Sequence, residues 1–194
     1  MEQAVISGIQ YVPQYIDERT QAQLLGAVDQ QPWQLSARHR VQVYGYHYNH
    51  RQRAAYRIGD LPPWAATLAA QLHDDGLIAT MPNQLVANDY EPGIGIFDHV
   101  DQAVFGNVVI SVSLGSTCIM RFTKAAPEAS REILLEPRSA LVLSGEARWD
   151  WKHGIPGRLS DRWRDREYLR SRRISLTFRA VPAGCSLAAE NQGR

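Results

Sequence analysis

A chain of 194 residues with 44% hydrophobic side chains, and with 21 basic against 20 acidic residues for a formal net charge of +1, has the make-up of an ordinary folded protein. It is long enough for one substantial core and short for two, so a single domain over 1–194 is expected, and disorder and collagen-like repeats are excluded. A charge so near zero neither points to a nucleic-acid partner nor excludes one. No apolar run approaches a membrane span, and Met1-Glu2-Gln3 does not open a secretory signal; a cytoplasmic monomer is the expectation.

In chain order, the first element reads as a helix from about Asp17, an N-cap, carrying Leu24, Leu25 and Val28 on one face. Val41, Val43, Gly45 and His47 then alternate with Gln42, Tyr44, Tyr46 and Tyr48 in the manner of a β-hairpin arm. A second helix starts near Pro63, carries Leu68 and Leu72, and stops near Gly76. Everything after it reads mainly as strands. Ile110, Val112 and Leu114 alternate with Ser111 and Ser113, and similar runs occupy 84–90, 117–122, 132–135, 139–144 and 174–180. The architecture expected is α+β and mainly β: an N-terminal helical layer packed on a two-sheet antiparallel sandwich or barrel.

Residues two apart on a strand point to one side, so His99 and Asp101 in Ile96-Phe97-Asp98-His99-Val100-Asp101 can hold one ion while Val100 turns away. With His153 downstream they form an H-x-D…H pattern. Two imidazoles and a carboxylate on one face of an octahedral Fe(II) leave the remaining positions open to a bidentate co-substrate and O2. His153 alone, between tryptophans, reads as a packed histidine; its place after His99 and Asp101 reverses that. His39, His47, His50 and His73 have no carboxylate at ligand spacing and receive no role.

The last strand makes a second point. Ile174, Leu176 and Phe178 share its apolar face, whereas Arg173, Ser175, Thr177 and Arg179 share the other. Burying two unpaired cations is strongly unfavourable, and a dicarboxylate ligand gripped by a guanidinium fork meets that need. Asn88 and Tyr90, also two apart, supply hydrogen-bond donors for such a pocket, and Pro92, Gly93 and Gly95 mark the turn towards His99.

The ordered set Asn-x-Tyr-x-Pro-Gly-x-Gly-Ile-x-x-His-x-Asp, a distant His, then Arg-x5-Arg ending in Ser-Leu-Thr-Phe-Arg resembles the AlkB family of Fe(II)/2-oxoglutarate dioxygenases over roughly residues 84–181. The resemblance implies a double-stranded β-helix, or jelly roll, over 81–182, with 1–80 supplying N-terminal helices and a substrate lid. It implies iron on His99, Asp101 and His153, and 2-oxoglutarate held at its distal carboxylate by Arg173 with Asn88 and Tyr90. Arg179 is placed at the metal end, near Asp101 or the keto-acid head. The chemistry implied is oxidation of a C–H bond with 2-oxoglutarate and O2 as co-substrates, giving succinate and CO2. Where the carbon is an N-methyl group, the hydroxylated product releases formaldehyde.

Substrate is less constrained. DNA-repair members carry an acidic residue two places after the metal Asp, where this chain has Ala103, and Ser175 replaces an asparagine often found between the two arginines. Asp101-Gln102-Ala103-Val104-Phe105 and Ser111–Ser116 resemble instead the branch that includes the tRNA wobble-uridine hydroxylase. Trp33, Tyr44, Tyr46 and Arg51 are the candidate substrate contacts in the lid, suited to stacking a flipped base of single-stranded DNA or RNA; the same tyrosines fit a packing role equally well. The alternative is the same oxygenase chemistry on a protein side chain or small molecule. Seven arginines between 158 and 173, against Asp161, Asp165 and Glu167, read either as a phosphate patch or as a solvated loop or helix face. Cys118 and Cys185 follow no metal or redox spacing and receive no role.

Overall fold

The computed structural model describes residues 6–36, 38–124, 130–182 and 186–187. The chain runs β1 (Ile9–Val12), α1 (Glu18–Asp29), β2 (Gln34–Leu35), β3 (Arg40–Tyr44), β4 (Tyr46–Asn49), β5 (Ala54–Arg57), α2 (Pro63–Asp74), β6 (Gln84–Tyr90) and β7 (Ile96–His99). It continues through β8 (Val109–Gly115), β9 (Cys118–Thr123), β10 (Ser130–Leu135), β11 (Ala140–Leu143), α3 (Gly145–Trp149), β12 (Lys152–Ile155), β13 (Ser160–Trp163), β14 (Arg166–Leu169), β15 (Arg173–Arg179) and β16 (Ser186–Leu187).

Asp17 caps α1 by accepting from the Thr20 amide at 2.7 Å, and α2 begins on Pro63, whose missing N–H costs nothing in a first turn. Both helices lay their apolar stripes on one sheet. Leu24, Val28, Leu68 and Leu72 meet Leu85, Ala87, Ile110, Val112, Leu114, Ile174, Leu176 and Phe178 in one cluster. Those strand residues are alternate positions, so the facing set on the same strands points the other way.

That sheet has seven strands in the order β1-β11-β8-β15-β6-β3-β2, and opposite it lies a four-stranded sheet ordered β10-β9-β12-β7. The two form an antiparallel double-stranded β-helix, as the resemblance implied. Between them Val109, Leu141 and Leu143 pack on Cys118, Met120, Phe122, Leu135 and Ile155. The chain before residue 80 adds strands as well as helices: β1 pairs with β11, and β3 with β6, so it completes the large sheet.

Gly45 lets the chain leave β3 for the separate β16-β5-β4 sheet. Its φ is +78°, and a Cβ there would lie 1.8 Å from the Asn83 carbonyl oxygen. The arginine-rich segment is neither loop nor helix. It folds as the β13–β14 hairpin, and its cations divide: Arg170 grips Asp161 at 2.6 Å and 2.8 Å, Arg172 bridges Asp29 and Asp89, and Arg173 is buried in the β-helix. Cys118 is buried, which raises its thiol pKa, and Cys185 lies outside the described residues.

Candidate active site

β7 and β12 pair with His99 directly opposite His153, and Asp101 follows just beyond the end of β7. One ligand atom from each of the three lies within 4.8 Å of the others. The imidazole centroids are 4.5 Å apart, and His153 Nε2 stands 3.4 Å from Asp101 Oδ2. The Phe97 carbonyl oxygen, 2.8 Å from His99 Nδ1, accepts that nitrogen's proton and leaves Nε2 as the free lone pair. Gly154 makes room beside His153, because a Cβ there would sit 2.3 Å from Asp98 Oδ1.

Asp101 is divided between two tasks. Arg179 Nη2 donates to Oδ1 at 2.5 Å, while Oδ2 is buried with no hydrogen-bond partner. A buried carboxylate oxygen left open beside two imidazoles fits a divalent cation, and this donor set suits Fe(II). Burial works to raise the Asp101 pKa, but Arg179, and after it His153, His99 and Arg148, hold it down at about 2. Burial lowers His153 to about 4 against the pull of Asp101. Both groups therefore stand in their metal-binding forms at neutral pH.

The His153 shift has a measurable sign. Its folded pKa lies below the ordinary value of 6.5, so protonation favours the unfolded chain. In metal-free protein this stabilisation is complete above pH 6.5 and drains away as pH falls towards 4, a loss on the order of 3 kcal/mol. Denaturant titrations of metal-free protein across that range are expected to show the slope, and His153→Gln to flatten it. An unchanged slope in the variant would remove His153 as its source.

The residues expected to hold a co-substrate meet on the large sheet's inner face. β15 pairs Arg173 with Tyr90, Ser175 with Asn88 and Arg179 with Gln84, while its other edge aligns Ser175 with Ser113 on β8. Arg173 is 3% exposed; Nη2 donates to Ser113 Oγ at 2.8 Å, but Nε and Nη1 have no partner. A buried guanidinium with two free donors fits a carboxylate fork. Tyr90 lies beside it, the Arg173 guanidinium 5.8 Å from the ring centroid, and burial raises the phenol pKa so that it remains a donor.

Two contributors escaped the sequence reading. His39, assigned no role there, stacks on Tyr90 at 4.8 Å, and its Nε2 lies 3.1 Å from Asn88 Oδ1. With Nε2 donating, the Asn88 amide hydrogens turn elsewhere. Arg148 on α3, 2% exposed, donates to the carbonyl oxygens of Asp101 at 2.8 Å and Gln102 at 2.7 Å, fixing the backbone that carries the metal carboxylate. No spacing rule reveals either residue, since both contacts span more than 45 positions.

The four lid candidates occupy different places. Tyr44 pairs with Leu85 across the sheet and so points to the helices, where it meets Trp64 edge-on at 5.9 Å and donates to Gln42. Trp33 packs on the same helix-side core, with Arg40 and Arg172 over its ring. Both lie on the helix side of the large sheet, Tyr44 by its parity on β3 and Trp33 by its packing just before β2. Tyr46 packs on the cluster of Ala55, Phe105 and Val181, and Arg51 sits exposed in the β4–β5 turn, its amide bonded to Asn49. Trp151 is buried in the core, whereas Trp149 is 41% exposed with the Arg148 guanidinium 4.2 Å from its ring.

Comparison with known proteins agrees with this geometry. The family model described as the 2OG-Fe(II) oxygenase superfamily matches residues 17–179. The chain is 32% identical over 210 residues to the "Alkylated DNA repair protein ALKBH8 homolog" of Arabidopsis thaliana, covering 93% of this chain and 61% of that protein. It is 31% identical over 218 residues to "tRNA (carboxymethyluridine(34)-5-O)-methyltransferase ALKBH8" of Mus musculus, covering 96% of this chain but only 33% of the mouse protein. The chain thus spans less than two thirds of either relative. A solved oxidoreductase of the 2OG-Fe(II) oxygenase family from Burkholderia pseudomallei shares the fold, with a TM-score of 0.63 at 13% identity over 93% of this chain and 89% of that one. Among the described residues no helix is long and apolar enough to cross a membrane. The chain belongs to the 2OG-Fe(II) oxygenase superfamily, within its AlkB group, and is an Fe(II)/2-oxoglutarate-dependent dioxygenase.

Proposed function

We propose that this dioxygenase hydroxylates or oxidatively demethylates bases in single-stranded RNA or DNA, including tRNA, with release of succinate, CO2 and, from N-methyl groups, formaldehyde. The observation that carries the reaction is the unpartnered Asp101 Oδ2 between two imidazoles, inside the same β-helix as the two free donors of Arg173. The nucleic-acid substrate is supported by the names of the Arabidopsis and mouse relatives, a DNA repair protein homologue and a tRNA methyltransferase.

In this reading His99, Asp101 and His153 hold Fe(II), and Arg173, Asn88 and Tyr90 hold the distal carboxylate of 2-oxoglutarate. Bound together, iron and 2-oxoglutarate supply the means to activate O2 for C–H oxidation. The side chains position rather than transfer protons. Arg179 keeps Asp101 Oδ1 occupied and leaves Oδ2 as the oxygen that would hold the ion, and Arg148 fixes the Asp101 backbone. His39 holds Asn88, and Phe122 and Ile155 keep the inner side of the site dry.

The test is aerobic incubation of Fe(II)-loaded protein with 2-oxoglutarate and a panel of methylated single-stranded DNAs and tRNAs, following succinate and nucleosides by mass spectrometry. Succinate matched by hydroxylation or loss of one modified nucleoside is the expected result. Succinate with every nucleoside unchanged would move the substrate to a protein side chain or small molecule, a reading favoured by Ala103 where repair members have an acidic residue.

A further inference from the structure

The strand that carries His99 is the edge of its sheet, and its side chains open onto a groove that the reaction chemistry does not account for. The groove runs between the β2–β3 turn (Ser36, Arg38, His39) and the stretch from Gly93 to Asp98, with Arg121, Ile155 and Pro156 closing it. Phe97 stands on its rim. It lies two residues before His99 on β7, beside the register shift through which Ile96 and His99 oppose Ile155 and His153, and it is 72% exposed.

The ring's neighbour in the structure is the Arg38 guanidinium, 4.8 Å from its centroid. Arg38 is exposed and has no carboxylate partner among the described residues, whereas Arg121 in the same groove is neutralised by Asp98 at 2.9 Å. A planar cation thus rests on an aromatic face two residues along β7 from His99. The adjacent His39 ties the same turn to Asn88 and Tyr90 on the opposite sheet.

We propose that this groove is the nucleotide-binding subsite: Phe97 offers its face to a base of the single strand and Arg38 pairs with the adjoining phosphate. The inference rests on the nucleic-acid reading above and adds the residues that seat the strand. The chemistry is complementary on both counts. An exposed ring stacks any base regardless of sequence, and an unpaired guanidinium takes a phosphate oxygen pair. The guanidinium now over Phe97 occupies the place of a stacked base, and a strand entering the groove exchanges one planar partner for another while giving Arg38 an anion. An acidic peptide would satisfy Arg38 but leave Phe97 without a stacking partner.

The experiment is fluorescence anisotropy of a labelled oligouridylate titrated with metal-loaded protein and 2-oxoglutarate under nitrogen, at several salt concentrations. Phe97→Ala is expected to weaken binding about tenfold and Phe97→Trp to preserve it, as stacking requires. Arg38→Ala is expected to weaken binding and to lower the slope of log affinity against log salt by about one, the signature of one lost phosphate contact. Leu169→Ala, on an exposed hairpin side chain elsewhere, is expected to change neither. Wild-type binding that Phe97→Ala and Arg38→Ala leave intact overturns this subsite and spares the nucleic-acid reading. Absence of oligouridylate binding by the wild type, with methylated tRNA also unbound, overturns that reading and the subsite with it.

Discussion

Asp101→Ala is expected to reduce 2-oxoglutarate decarboxylation to the level seen without iron. The substitution removes one of the three convergent ligand atoms and, with it, the carboxylate between two imidazoles. Loss of an outer-sphere partner typically costs about 10- to 100-fold in metal affinity, and loss of a ligand itself is expected to cost more. A second consequence is structural. Arg179, whose side chain is 12% exposed, loses its anion, and breaking a buried pair from one side costs on the order of 3–5 kcal/mol. Asp101→Asn separates the two effects, because its amide oxygen can still accept from Arg179 while the ligand charge is gone. Calorimetric metal titration, with circular dichroism to confirm folding, reads both. Decarboxylation that persists in folded Asp101→Ala protein would sink the assignment of Asp101 to the metal.

Arg173→Ala is expected to raise the KM for 2-oxoglutarate about 100-fold or more while leaving metal affinity nearly unchanged. Two charge-assisted hydrogen bonds at about 1.5–3 kcal/mol each are lost from a buried site, and each 1.4 kcal/mol is worth tenfold. Arg173→Lys is not expected to rescue it, since an ammonium is a point charge where the pocket presents a planar fork. Arg173→Ala also removes the donor to the buried Ser113 hydroxyl, so a modest stability loss accompanies the kinetic one. Equal 2-oxoglutarate affinity before and after the change would show that Arg173 does not face the co-substrate.

Much of the site was legible because strand periodicity is a local property. Asn88 with Tyr90 and Arg173 with Arg179 were paired by parity, and each pair shares one face of its strand, whereas Asp101 joins His99 and His153 from just beyond the end of β7. The two helices were equally legible, because Asp17 and Pro63 are local start signals beside apolar faces. The missed elements share a cause. β1 and β12 derive their strand state from partners far along the chain, β11 for the one and β7 and β9 for the other, so no window of sequence displays them.

Sequence by itself determined the chemistry-bearing residues, their order and their side-by-side placement along each strand, because backbone geometry dictates which neighbours share a face. Tertiary structure alone decided which face looks inward. β3 turns Val41 and Val43 towards the β-helix interior and sends Tyr44 to the helices, a choice made by its register against β6. It also decided that His39 reaches Asn88, that Arg148 holds the carbonyl of Asp101 and that Arg38 comes to rest over Phe97. These contacts join segments whose proximity follows from strand pairing and sheet packing, and those depend on the whole core rather than on any local run of residues.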